Sequence, residues 1–334
     1  MQNFNILSID GGGIKGIISA IVLRDLEQYI QTYSHNPSAH LSDYFDLIAG
    51  TSTGSILTGL YLCPDKDGKA KYSAQDAYEL YKELGSTVFK KKMPYQIKSI
   101  FGLIRSKYDN KKLYELLEKS FQDVKISELL KPCLITAYDL DRESAYFFNT
   151  ESAKMSKGKN FYLKDAILSS TAAPTFFPSV QIESIAKRQF CMIDGGVCCN
   201  NPSMCAFAEA IKMPAYISID KINIFSVGNL TKHSSSTCQQ VQNRGLVGWV
   251  SPFIDITLSA NTQTVDYQLK MLFNTLKTKD NYIRIDKLVC DDFNIPSLDA
   301  SSKKDINLLI HLGEQLAYER ENDIKNFAYK LVYG

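Results

Sequence analysis

The chain has almost no net charge. Its 38 Lys and Arg stand against 36 Asp and Glu in 334 residues, giving +2 at pH 7. Such a balance supplies no global attraction to nucleic acid, so no nucleic-acid partner is expected and any basic behaviour has to be local. Long apolar runs are missing as well. The longest, such as Ile17 to Leu23, are far too short to cross a bilayer. Repeats, low-complexity tracts and a convincing linker are absent too, and one domain over 1–334 is expected. The eight cysteines, at 63, 133, 191, 198, 199, 205, 238 and 290, form no C-x-x-C pair, and no histidine accompanies the group from Cys191 to Cys205. That argues against zinc and for free thiols in a reducing compartment. The first strand begins at Phe4, which leaves no room for a signal peptide. A cytoplasmic location is expected, while a secretion route that needs no removable signal stays open. Histidine is scarce, with only His35, His40, His233 and His311.

Glycine, by contrast, is concentrated where it can do chemistry. Gly50-Thr51-Ser52-Thr53-Gly54 follows the apolar run Tyr44 to Ala49 and precedes Ser55 to Leu62, the strand, sharp turn and helix that G-x-S-x-G requires. Two glycines permit a turn too tight for side chains, which leaves the Ser52 hydroxyl exposed at a helix N-terminus. Ser52 is the leading candidate for a nucleophile. A second cluster, Asp10-Gly11-Gly12-Gly13-Ile14-Lys15-Gly16, also lies between a strand, Phe4 to Ile9, and a helix. In that helix Ile18, Ile21, Val22, Leu26, Tyr29 and Ile30 recur along one face. Gly11, Gly12 and Gly13 would leave bare backbone N–H groups at its positive end, fit for a phosphate or a developing oxyanion.

Gly11-x-Gly13-x-x-Gly16 formally satisfies the dinucleotide fingerprint, so a dinucleotide-binding protein is a rival reading. That fingerprint needs an acidic residue ending a second strand about 20 positions on. Here Thr32 to His40 is polar, turn-like and free of acid, and the next strand ends in Gly50. A P-loop fails because Ile17 and Ile18 follow Gly16. A base for the serine is offered by Asp194 in Met192-Ile193-Asp194-Gly195-Gly196, although an Asp-Gly turn is the plain alternative. A Ser-Asp-His triad would need its histidine last. His35 and His40 precede Asp194, His233 sits in a polar loop, and His311 sits in an amphipathic helix. A dyad fits better.

Taken in order, DGGGIKG at Asp10–Gly16, GTSTG at Gly50–Gly54 and DGG at Asp194–Gly196 resemble the patatin-like phospholipases and lipid acyl hydrolases, in their bacterial type. Weaker similarity runs through Ser169 to Pro178, Asn281 to Ile285 and Asp305 to Leu316, so the resemblance covers nearly the whole chain. It implies a three-layer α/β fold with a mainly parallel central sheet flanked by helices. It also implies a Ser52–Asp194 dyad working through an acyl-serine, with the oxyanion on the N–H groups of Gly11 to Gly13. No metal or organic cofactor is implied. Lys15 is a departure, because the family usually has arginine there, and a planar fork becomes a point charge. Some bacterial relatives are antiviral effectors switched on by cyclic nucleotides. A cyclic-nucleotide activator is therefore an alternative, though no nucleotide-binding motif is visible here.

Strand and helix signals alternate along the rest of the chain, as a layered α/β sheet requires. Helices are expected from Ser73 to about Leu84, over Asn110 to Phe121 and after Asn201-Pro202. Strands are expected over Cys133 to Asp139, Ala145 to Phe148, Ile222 to Val227 and Tyr282 to Ile285. Thr231 to Asn274 is poorly patterned. Phe89 to Lys112 holds eight basic residues against the single acid Asp109, interleaved with large apolar side chains. That mixture suits an anionic membrane surface, and a surface helix packed on the core is the plain alternative. The expected substrate is a phospholipid or another acyl lipid.

Overall fold

The computed structural model describes residues 3–87, 106–213, 218–232, 238–242, 245–289 and 295–334. Most of the Phe89 to Lys112 stretch, together with His233 and Cys290, lies outside them. The strands among the described residues are β1 (Phe4–Ile9), β2 (Leu47–Thr51), β3 (Cys133–Asp139), β4 (Ser144–Asn149), β5 (Val180–Glu183), β6 (Gln189–Asp194), β7 (Ile222–Val227), β8 (Thr231–Lys232), β9 (Tyr282–Ile285) and β10 (Leu288–Val289). One sheet runs β5-β6-β3-β2-β1-β7-β9 with β4 also on β3, while β8 and β10 pair separately. From β3 to β9 every pairing is parallel, and β4, β5 and β6 join antiparallel.

Period-two alternation decides which side chain meets which layer. On β1, Leu7 and Ile9 enter one core and Ile6 the other; on β7, Phe225 and Val227 go one way and Ile222 and Ile224 the other. Both faces are therefore covered, which explains why both sides of these strands carry large apolar residues. The larger core is closed by the helices Gly16–Tyr33, Thr53–Leu62, Lys303–Glu319 and Glu321–Tyr333. The smaller is closed by Ser203–Lys212 and the 30-residue helix Leu246–Thr275. Fully burying one such Leu, Ile or Phe contributes about 1.5–3 kcal/mol, so the two cores anchor the sheet from both sides.

The pairing along β3 positions the site. β4 occupies one edge of β3 throughout, Leu134 opposite Asn149 to Asp139 opposite Ser144. The other edge is shared. β2 runs along it in parallel until Thr51 faces Thr136, and β6 runs along it antiparallel until Asp194 faces Ala137. Two strands thus approach head-on along one edge, and their C-terminal ends meet.

Several local expectations are visible in the elements. The helix Ala74–Thr87 opens on a reciprocal pair, Ser73 N–H to Asp76 Oδ2 at 2.9 Å and Asp76 N–H to Ser73 Oγ at 3.1 Å. The turn after β3 closes a hairpin with β4. The described end of the basic stretch belongs to the packed body: Tyr108 is buried, Lys107 pairs with Asp299, and the helix Lys111–Phe121 follows. The poorly patterned stretch contains the long helix Leu246–Thr275. Its buried positions keep to one face, but Phe253, Ile256, Tyr267 and Met271 make the exposed side apolar too, so no single apolar stripe announces it in the sequence.

Candidate active site

Strand β2 ends at Thr51 and the helix Thr53–Leu62 begins at once, so Ser52 must turn the chain alone. It does so at φ 52° and ψ −118°, a conformation that costs a non-glycine residue of order 1–3 kcal/mol. Both flanking glycines are required sterically. A Cβ at Gly50 would strike the Gly54 carbonyl, and one at Gly54 would strike the Ile9 carbonyl. The turn is held by Ser52 N–H donating to Ser170 Oγ at 2.8 Å and by Ser55 N–H donating to Ser52 O at 2.9 Å.

Ser52 Oγ donates to Asp194 Oδ2 at 2.6 Å. The other carboxylate oxygen, Oδ1, accepts the Gly196 N–H at 2.7 Å, and the Asp194 N–H donates to Ala172 O at 3.0 Å. Asp194 is buried, and loss of water raises its pKa to about 6, against the lowering effect of the bonds from Ser52 and Gly196. A carboxyl of that kind accepts a proton more readily than an exposed aspartate does. Of the described histidines, His35 and His311 are exposed, His40 lies 3.9 Å from Glu27, and none lines the cavity beside Ser52.

The glycine loop after β1 lies against this pair, since a Cβ at Gly11 would stand 3.3 Å from Ser52 Cβ. Its three glycines are not equivalent. Gly11 N–H already donates to Asn200 O at 3.0 Å, whereas Gly12 and Gly13 line the cavity and their N–H groups have no acceptor among the described residues. Gly13 has φ +58° and sits against Leu298 O, so only glycine fits there. The loop is anchored underneath by a buried ion pair. Arg284 grips Asp10 through Nη2 to Oδ2 at 2.6 Å and Nη1 to Oδ1 at 3.3 Å, and also reaches Asp286 and Ser226. Asn229 adds a bond to Asp10 O at 3.0 Å. Burial raises the Asp10 pKa to about 6 despite Arg284.

Ser52, Asp194, Gly12 and Gly13 share a cavity of about 270 Å³. Its remaining wall is almost wholly apolar, with Ile56, Leu113, Pro174, Phe176, Phe177, Phe253, Ile254, Leu258 and Leu298. That is just below the usual span for small-molecule pockets, roughly 300–1,000 Å³, and suits a slender apolar chain. The residues that hold the site in register were not singled out from the sequence. Asn261, on the long helix, accepts from Asn200 N–H at 2.8 Å and Asn201 N–H at 3.3 Å and donates to Cys198 O at 3.2 Å. Thr262 accepts from Asn200 Nδ2 at 3.0 Å. Two of the blocks noted in the sequence do contribute: Ser169 to Pro178 supplies the partners at Ser170 and Ala172, and Asn281 to Ile285 supplies Arg284.

Residues 7–206, which include Ser52 and Asp194, match the sequence pattern of the family described as Patatin-like phospholipase. Patatin-like protein 2 of Oryza sativa subsp. indica is 32% identical, over 93% of this chain and 83% of its own. A protein of Solanum tuberosum named Probable inactive patatin-3-Kuras 1 is 28% identical, over 98% of this chain and 90% of its own. Among solved structures, VipD from Legionella pneumophila aligns with 98% of this chain and 67% of its own, at 10% identity and a TM-score of 0.41.

Proposed function

The chain belongs to the patatin-like phospholipase family, hydrolases of lipid acyl esters, and from that premise we propose that it is a phospholipase A-type enzyme working through an acyl-serine on a Ser52–Asp194 dyad. One relative bears a name that marks it inactive, so family alone does not decide whether this site works. The observation that carries the reading is the 2.6 Å bond from Ser52 Oγ to Asp194 Oδ2 in an apolar cavity.

The steps follow from the donors and acceptors present. Ser52 Oγ attacks the ester carbonyl carbon as its proton passes to Asp194 Oδ2, with no intervening imidazole. The oxygen that becomes negative is met by Gly12 and Gly13 N–H, a role worth roughly 2.7–4 kcal/mol per donor in other hydrolases. Gly11 is outside this set, because its N–H is occupied by Asn200. Asp194 then protonates the departing alcohol, leaving the acyl group on Ser52. In the second half Asp194 takes a proton from water, the hydroxide attacks the acyl carbon, and Ser52 leaves with the proton that Asp194 returns. A pKa near 6 suits both halves, since the group is ionised at neutral pH yet basic enough to receive a proton.

The test is Ser52→Ala against wild type on defined glycerophospholipids, with released fatty acid as the readout. Release should fall by about 10³-fold or more while the melting temperature stays within a few degrees, because only one half-buried hydroxyl facing the cavity is lost. Fatty-acid release at the wild-type rate from the folded variant would remove Ser52 from the mechanism.

A further inference from the structure

The helix Leu246–Thr275 changes environment along its length. Val265, Leu269 and Phe273, at i, i+4 and i+8, are buried against Ile6, Ile224 and Tyr282 of the sheet. Towards its start, Trp249, Phe253 and Ile256 fall at i, i+4 and i+7, a single stripe, and are 36%, 63% and 48% exposed. Phe253 is at once the most exposed of the three and part of the cavity wall beside Ile254 and Leu258. Val197, in the turn after Asp194, is likewise in the wall and 44% exposed. The apolar lining therefore continues out of the cavity onto the surface. Asp255 is the only charged residue between Leu246 and Val265.

We propose that Trp249, Phe253, Ile256 and Val197 form the surface by which this protein docks on a zwitterionic lipid bilayer, with the stripe seated in the hydrocarbon boundary. The inference rests on the lipid-hydrolase reading and adds where the substrate is met. An acyl chain that leaves a bilayer for the cavity is held in water unless the two apolar regions touch, and every methylene so exposed is unfavourable. A stripe continuous with the cavity wall removes that gap. Contiguous exposed apolar residues beside a binding groove are what such surfaces consist of, and tryptophan settles at the level of the headgroups. With so little charge on the stripe, attachment is apolar, so salt and anionic lipid should matter little. Among the described residues no helix is long and apolar enough to cross a membrane, so the helix would lie along the surface.

Trp249 is the chain's only tryptophan, so its emission reports on the stripe directly. The Ser52→Ala protein is titrated with phosphatidylcholine vesicles at low and at high salt. The emission should shift to the blue and be quenched by acyl chains brominated near the headgroup, equally at both salt concentrations. In parallel, Trp249→Ser combined with Ile256→Ser, two positions outside the cavity wall, should weaken vesicle sedimentation and vesicle hydrolysis by about tenfold or more. Hydrolysis of a short soluble ester by the same variant should be unchanged, which also shows that it folds. Flat emission without quenching, or a double variant that sediments like its parent, overturns the proposal. So does binding confined to anionic vesicles and lost at high salt, or an emission shift that follows protein concentration without vesicles, which would make the stripe a contact between two copies. If no ester is hydrolysed by any form, the emission still decides docking and only the hydrolase reading fails. If soluble esters are cleaved while emission stays flat, docking fails and the hydrolase reading stands.

Discussion

Burial at the end of β6 raises the Asp194 carboxyl to about 6, which ties stability and activity to pH in opposite directions. A carboxyl whose pKa is raised by folding contributes stability that is fully present below its ordinary value, 3.8, and lost as pH rises through about 6. The shift corresponds to about 3 kcal/mol held against the fold once the group is ionised. The expected result for Asp194→Asn is therefore an inactive protein that melts above wild type, by a margin that widens from pH 4 to pH 8. Wild-type kcat/KM should rise through a single ionisation near pH 6 and level off above it. Asp10 is also raised to about 6 and Glu27 to about 7, so only the difference between variant and wild type isolates Asp194. Melting curves and initial rates across that range check both statements, and a melting difference that shrinks with pH would mean the carboxyl is not the buried base described. At this scale much was legible. Ser52 and Asp194 stand in short motifs whose meaning is local. The different hydrogen bonding of Gly11, Gly12 and Gly13 was not, because Gly11 is occupied by a carbonyl at position 200 that no local pattern connects to it.

Among the elements, the Leu246–Thr275 helix helps to hold the site yet gave little notice of itself. A helix is recognised in a sequence by one apolar face, but this one also carries Phe253, Ile256, Tyr267 and Met271 on its exposed side. Ile254, Thr257 and Leu258 face the cavity, and Val265, Leu269 and Phe273 face the sheet. Pro252 inside it masks the pattern further, since proline ordinarily ends a helix. Its grip on the site runs through Asn261, which alone serves two backbone N–H groups and one carbonyl of Cys198 to Asn201. In Asn261→Ala those groups lose their partner, which should cost about 1–3 kcal/mol for each one left buried and unpaired. Because Asn200 O also holds the Gly11 N–H, the loop from Gly11 to Gly13 should loosen as well, and under the proposed mechanism kcat should fall more than KM changes. Thermal melting with steady-state kinetics checks this. An Asn261→Ala enzyme with unchanged kcat would confine the residue to a structural role. The helices Gly16–Tyr33 and Lys111–Phe121, by contrast, were legible to within a few residues.

Across the whole molecule, the alternation of strands and helices made the parallel centre legible, with β3, β2, β1, β7 and β9 in one direction. Strand order was not. Nothing near Gln189 to Asp194 tells that it will lie antiparallel to β3, because that pairing depends on residues more than 50 positions away. Yet this is the pairing that carries Asp194 to Ser52, 142 residues apart in sequence. β3 acts as a ruler against which two strand ends are set.

That head-on meeting makes catalysis a late report on assembly. Helices can form within microseconds and β2 can pair early, but the Ser52 hydroxyl and the Asp194 carboxylate come into register only after β6 has closed on the far part of β3. On dilution from denaturant, helical circular dichroism should therefore recover first and ester hydrolysis follow with a measurable lag, in a chain that has regained its outline before its function. Activity returning in step with helix signal would place the closure of β6 among the first events instead of the last.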